Sequence, residues 1–307
     1  MKRRDFIQAS VLAAGSLPLM SAGTRTAGTR KLTILYTNDQ HSRIDPFPDN
    51  HPKYPGQGGF AARAALIDGI RAEGNEVLLL DAGDVFQGTP YFNYFGGELE
   101  FRLMTMMGYD ACTLGNHDFD NGVEGFLKQT PHAGFTFVNS NYRIERADMR
   151  SVIQENKVFR KGGYKIGVYG LGIDFEGLVA AENHQGVFYT DPVAVALEQE
   201  EILKKKRGCD LVICLSHLGY SYSENRISDL TLAKQLRNTD IIIGGHTHSF
   251  LEQPVNIVNS GGTGTLVTQA GWAGLVLGRI DIVFDSKGKG WKAQTAMQKI
   301  SSNAIRG

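Results

Sequence analysis

The sequence predicts an α/β fold built on mixed β-sheets covered by helices. Short runs of β-formers alternate with stretches of helical periodicity, and the last strands read as an antiparallel finish. The length, 307 residues of which 42% are hydrophobic, suffices to bury one large core. Lys31–Thr37 alternates and is rich in β-formers, the pattern of a strand. Phe60–Ala72 places apolar residues at helical spacing, and Gly74-Asn75 stops it. Val77–Leu80 is a continuous apolar run, expected for a strand buried on both faces. Glu98–Met107 reads as a helix ended by Gly108, and Asp110–Leu114 as the next strand. A helix over 123–129, a strand over 135–139 and a strand pair over 157–160 and 164–170 follow. A long helix spans 192–206, Leu211–Leu215 is a strand, 230–237 a helix, and Ile241–Ile243 a short buried strand. Thr265–Gln269 and Leu275–Phe284 are expected as antiparallel strands that close the domain. No internal repeat and no second domain is visible, so residues 31–307 are expected to form one domain.

Charge narrows the partners. With 32 basic and 32 acidic residues the chain lacks the basic field of a general nucleic-acid or membrane-surface binder. The run Lys204–Arg207 reads instead as the cationic end of a helix. The three cysteines, Cys112, Cys209 and Cys214, are too few and odd in number for a disulfide framework. Cys209 and Cys214 flank and occupy a predicted buried strand and suit small core hydrophobes. The N-terminus, Met1-Lys2-Arg3-Arg4-Asp5-Phe6-Ile7 followed by a short apolar run, reads as an export signal with twin-arginine character. Residues 1–30 are expected to be that signal and a flexible lead-in, giving a periplasmic or secreted protein. The apolar run is too short for a transmembrane anchor, and no Cys follows it to carry a lipid.

Five polar clusters sit just after predicted strands, where α/β folds place their ligand sites. They are Asn38-Asp39-Gln40-His41, Gly83-Asp84, Gly115-Asn116-His117-Asp118-Phe119-Asp120, Ser216-His217 and Gly244-Gly245-His246-Thr247-His248. Each alone is a weak signal: Asp39-x-His41 also fits an Asx turn beside a surface histidine, and Gly-Asp is common in turns. Together they hold five of the eight histidines, leaving His51, His132 and His184 elsewhere. Imidazole and carboxylate are the donors that a pair of Zn, Mn, Fe or Co ions takes. The Asn116 amide oxygen can complete a shell without adding charge, and one carboxylate can bridge two ions.

The order D-x-H, G-D, G-N-H-D, H and G-H-x-H resembles the calcineurin-like metallophosphoesterases. The segments ILYTNDQH, DAGDVFQGTPYFN, LGNHDFDNG and IIGGHTH are similar to the bacterial 5′-nucleotidase branch, over about residues 31–285. The resemblance implies a four-layer α/β/β/α sandwich with mixed sheets, two divalent metal ions at the strand ends, and a catalytic domain over 31–307. It implies Asp39, His41 and His248 on one ion, Asn116, His217 and His246 on the second, and Asp84 bridging. Some members of the branch carry Gln where this chain has His248. Two cations roughly 3.5–4 Å apart acidify water and clamp phosphoryl oxygens for in-line displacement. His117 follows a ligand without being one, so it is expected to stabilise developing charge or protonate the leaving oxygen, with Asp120 holding its ring. Asp81 and Asp118 are expected to be structural, and Phe86–Thr89 to line the pocket. No substrate-binding residue is assigned.

Full-length relatives carry a C-terminal domain that grips the base, and no residue of this chain matches it. The expected substrate is a small phosphoester, foremost a nucleotide, with base recognition either absent or supplied by a separate polypeptide. A nucleotide 2′,3′-cyclic phosphodiesterase and a thiosulfohydrolase are the alternative enzymes. A non-catalytic metal or nucleotide binder would have let His117 or Asp120 erode, and both are present.

Overall fold

Alternation along each strand decides which layer its side chains join. In Leu211–Ser216, Leu211, Ile213 and Leu215 point one way and Val212 and Cys214 the other, and all five are fully buried. That is why the run is apolar throughout. The computed structural model describes residues 31–284 and 290–301, so the expected export signal lies outside the described residues. One sheet is ordered Trp291–Lys299, Val276–Phe284, Lys31–Thr37, Glu76–Asp81, Ala111–Cys112, Thr136–Val138, Ile153–Gln154. The other is ordered Val255–Val258, Gly264–Gln269, Ile241–Gly244, Leu211–Ser216, Tyr164–Leu171, Asn156–Lys161. The second has a parallel centre and two antiparallel edges; the first is antiparallel at the Trp291–Lys299 and Val276–Phe284 side and parallel from Lys31–Thr37 to its other edge, Ile153–Gln154.

Leu32, Ile34 and Tyr36 of the first sheet meet Ile166, Val168, Ile213 and Ile243 of the second in a core between the sheets. On the outer face of the first, Leu35 and Leu79 pack against Ile67, Phe101 and Phe126 from three helices, Phe60–Ala72, Glu98–Met106 and Gly122–Gln129. On the outer face of the second, Val212, Cys214 and Ile242 pack against Ala196 and Leu232 of the Pro192–Glu201 and Asp229–Gln235 helices. The four layers are helix, sheet, sheet, helix, as the resemblance implies. No helix among the described residues is long and apolar enough to cross a membrane.

The structure departs from expectation in particular places. The expected strand Asp110–Leu114 keeps a regular ladder only at Ala111–Cys112; the Asp110 carboxylate bounds its start by accepting from Leu79 N at 2.9 Å. The helix expected over 192–206 is α-helical to Glu201 and then widens into a π turn over Ile202–Lys206. Gly264–Gln269 and Val276–Phe284 do not pair with each other. The former runs parallel to Ile241–Gly244 in the second sheet, and the latter antiparallel to Lys31–Thr37 in the first. The intervening loop, residues 270–275, therefore crosses from one sheet to the other. The three cysteines are free and buried.

Glu200, 1% exposed, ties a helix to the turn that feeds Ile241–Gly244. Its carboxylate accepts from the backbone N–H groups of Arg237, Asn238 and Thr239 at 2.9–3.1 Å and from the Thr239 hydroxyl at 3.1 Å. Glu200→Gln turns an amide NH2 toward these donors, and urea denaturation should read a loss of about 2–4 kcal/mol. Gly69→Ala, at an exposed helical position where a methyl meets nothing within 4 Å, should instead gain about 0.5–1 kcal/mol.

Candidate metal centre

The predicted residues stand on loops at the carboxyl ends of parallel strands: Lys31–Thr37, Glu76–Asp81 and Ala111–Cys112 in one sheet, and Leu211–Ser216 and Ile241–Gly244 in the other. Turning sharply at a strand end demands unusual backbone. Among the described residues, Asp39, His41, Asp84, His246 and His248 all have φ between 48° and 71°. A left-handed conformation in a residue with a side chain costs about 1–3 kcal/mol and persists only where the surroundings fix it.

Those surroundings are visible. Asp39 N, His41 N and Ser42 N donate to Gly83 O, Asp84 O and Val85 O at 2.9–3.1 Å, so two loops run together as a backbone rail. The buried Asp118 carboxylate gathers four amides: Asp84 N and Gly115 N on Oδ2, Val85 N and Phe86 N on Oδ1, at 2.8–3.3 Å. Burial first, and the Asp84 charge second, push its pKa up to about 7. Gln269 shapes the last turn, donating to Gly245 O at 2.5 Å and accepting from Ser249 N. Phe86–Thr89 supports His41: Phe86 O lies 3.3 Å from His41 Nδ1, and Thr89 Oγ1 donates to Ser42 O at 2.7 Å.

Two groups of donors result. Asp39, His41 and His248 present ligating atoms within 4.8 Å of one another, as do Asp84, His217 and His246. Asn116 joins the second group, its Oδ1 being 2.9 Å from His246 Nδ1. Asp84 Oδ2 lies 3.0 Å from His217 Nε2, and Asp84 Oδ1 accepts from His117 N at 2.8 Å. In the first group Nε2 of His41 and Nε2 of His248 face each other at 2.9 Å, with Asp39 Oδ1 3.3 Å from the latter.

The donor set fits divalent cations. Asp39 and Asp84 are buried carboxylates, and two imidazole nitrogens converge on one point, where at most one can donate a proton. His217 donates through Nδ1 to Ala82 O at 2.6 Å, yet its fully buried Nε2, beside Asp84, makes no hydrogen bond of acceptable geometry. Burial holds His41 below its ordinary pKa and His246 down to about 4, so both rings stay neutral, the form that coordinates metal. For His217 burial also opposes charge, but the adjoining Asp84 overrides it and raises the ring to about 10.

His117 stands beside the groups, its ring 5.3 Å from that of His41. Its Nδ1 is 3.0 Å from Asp120 Oδ2, a contact that raises its pKa against the effect of partial burial. All nine predicted site residues thus converge on one end of the two sheets. Gln269 and Trp272 stand beside the predicted residues without belonging to any of the five clusters. Gln269-Ala270-Gly271-Trp272-Ala273-Gly274 bears the same mark as the other loops, glycine after a strand, but no acid or histidine to attract notice.

Gly115 and Gly245 are two of the close-packed points of the site. A methyl on Gly115 would collide with Asp84 Oδ1, and one on Gly245 would lie 2.8 Å from His217 Nδ1. Gly115→Ala should therefore displace Asp84 and weaken metal binding about 10–100-fold with far-UV circular dichroism unchanged, as read by chelator competition.

Comparison with known proteins agrees with this geometry. The family model described as calcineurin-like phosphoesterase matches residues 32–250. A snake venom 5′-nucleotidase of Gloydius brevicauda is 32% identical over 298 residues, covering 91% of this chain and 49% of that protein. A 5′-nucleotidase of Vibrio cholerae is 34% identical, covering 92% of this chain and 55% of that protein. Among solved structures, the 5′-nucleotidase precursor from Thermus thermophilus superposes with a TM-score of 0.80 at 30% identity, covering 89% of this chain and 55% of that one. The chain spans about half the length of these relatives. With the loops, the sheet order and the family model in agreement, the chain belongs to the calcineurin-like phosphoesterase family.

Proposed function

We propose that the chain is a dinuclear metal-dependent phosphoester hydrolase acting on nucleotides, releasing phosphate from a nucleoside phosphate. The observation that carries the reading is the approach of two donor groups, each within 4.8 Å, beside the His117–Asp120 pair. Asp39, His41 and His248 would hold one ion, Asn116, His217 and His246 the other, and Asp84 both. When bound, the pair supplies Lewis acidity toward water and phosphoryl oxygens. The chain's own groups do the rest. Asp84 and Asp39 bring negative charge to a buried place and so favour cations there. His117, about one-third exposed at its side chain, reaches toward solvent where a substrate enters, and Asp120 fixes which ring nitrogen it offers. It is placed to hand a proton to the leaving oxygen or to steady charge on the phosphoryl group. The similarity to proteins named 5′-nucleotidases supports nucleotides as the substrate class.

The test is hydrolysis of 5′-AMP, a nucleoside 2′,3′-cyclic phosphate and an aryl phosphate, after chelation and after adding back Zn, Mn, Fe or Co. Chelation should lower every rate about 100-fold or more, and at least one ion should restore it. Equal rates on all three substrates would overturn the nucleotide preference, and activity indifferent to chelation would overturn the metal centre. His117→Ala should lower kcat about 10²–10⁴-fold while two ions per chain remain bound. Export completes the proposal: the basic start and apolar run support a periplasmic destination by the twin-arginine route. Replacing Arg3 and Arg4 by lysine should then leave the protein in the cytoplasm on cell fractionation.

A further inference from the structure

Each predicted imidazole ligand must be held at a fixed rotation about its own axis, and a second ring nitrogen usually provides the grip. His217 is gripped through Nδ1 by Ala82 O and His41 through Nδ1 by Phe86 O. His248 has no such acceptor among the described residues. It is also the open member of its group, its side chain 40% exposed against 8% for His41 and none for Asp39. What meets the ring instead is a flat surface: the Trp272 indole lies parallel to it, 6° between planes and 5.5 Å between centroids.

That indole is itself fixed by the residues that carry the group. Gly271 O accepts from Asn38 Nδ2 at 2.6 Å, and Ala273 N donates to Asp39 O at 2.7 Å, one residue to either side of Trp272. Gly271 N donates to Ser249 O at 3.0 Å, next to His248. Phe47 closes against the indole edge-on at 6.0 Å. The loop that crosses between the sheets is thus bonded to both arms of the first donor group, with Trp272 laid along the ring that has no such acceptor.

We propose that Trp272 is a positioning residue for His248, its indole face keeping the imidazole turned toward His41 and Asp39 so that this group binds its ion tightly. The inference rests on the metal-ligand reading given above. Its test is titration of Mn2+ alone, by calorimetry and by chelator competition, into the wild type, Trp272→Phe and Trp272→Leu. Leucine keeps apolar bulk against Phe47 but removes the flat face, whereas phenylalanine keeps the face. The wild type should bind two ions. Trp272→Leu should weaken one of them about 10–100-fold and leave the other unchanged, and Trp272→Phe should stay near the wild type. In a His248→Ala background the leucine substitution should add nothing, since the ring it steadies is gone. Equal affinities in all three chains would overturn the inference, as would equal losses in both variants or a leucine effect that survives His248→Ala. A wild type that binds neither Mn2+ nor any of the other candidate ions would overturn the metal reading itself.

Discussion

Asp84 and His217 face each other across the seam between two sheets, and the arrangement of the active end follows from that contact. Their 3.0 Å approach joins a loop of the first sheet to a loop of the second in a place closed to water. Burial opposes charge on both, while each group shifts the other toward its charged form, the ring rising and the carboxyl falling. Such a pair is expensive to assemble and adds little stability by itself. Its place at the meeting of all the strand-end loops fits a functional role better than a structural one.

Around the pair, backbone bonding rather than hydrophobic packing sets the geometry. Asp118 draws four amides of two loops onto one carboxylate, Gln269 shapes the turn bearing His246 and His248, and Asn38 bonds to Asp39 on one side and Gly271 on the other. Loops held in this way can keep left-handed residues that a free loop would relax. The apolar layers deliver strand ends to the right place, and the polar mesh aims the side chains.

The sandwich was readable wherever one rule governed a segment. The helix Phe60–Ala72 matches its periodicity to the residue, and Leu211–Leu215 advertises burial on both faces. Trp291–Lys299 gives no signal because it is an edge strand, half exposed, whose inward positions include one alanine, Ala293, and a threonine, Thr295, in place of larger apolar residues. The Pro90–Phe95 helix leaves little trace in the sequence although Pro90 starts it and Gly96, at φ 62°, stops it, because its short aromatic run lacks a polar face. The nine predicted site residues are legible because histidine and aspartate cluster after strands. Trp272 is not, because an indole beside a predicted ligand leaves no pattern in sequence and comes to lie there only through a chain crossing between sheets. That crossing was also what the expected pairing of the last strands missed.

The backbone rail between Asp39–Ser42 and Gly83–Val85 has a consequence for how the centre fills. One side of the rail carries Asp39 and His41, and the other carries Asp84 of the second donor group. Because the bonds are between backbone groups, losing a side chain from one donor group leaves the loop of the other in place, and neither loop has much motion to lose when its group fills.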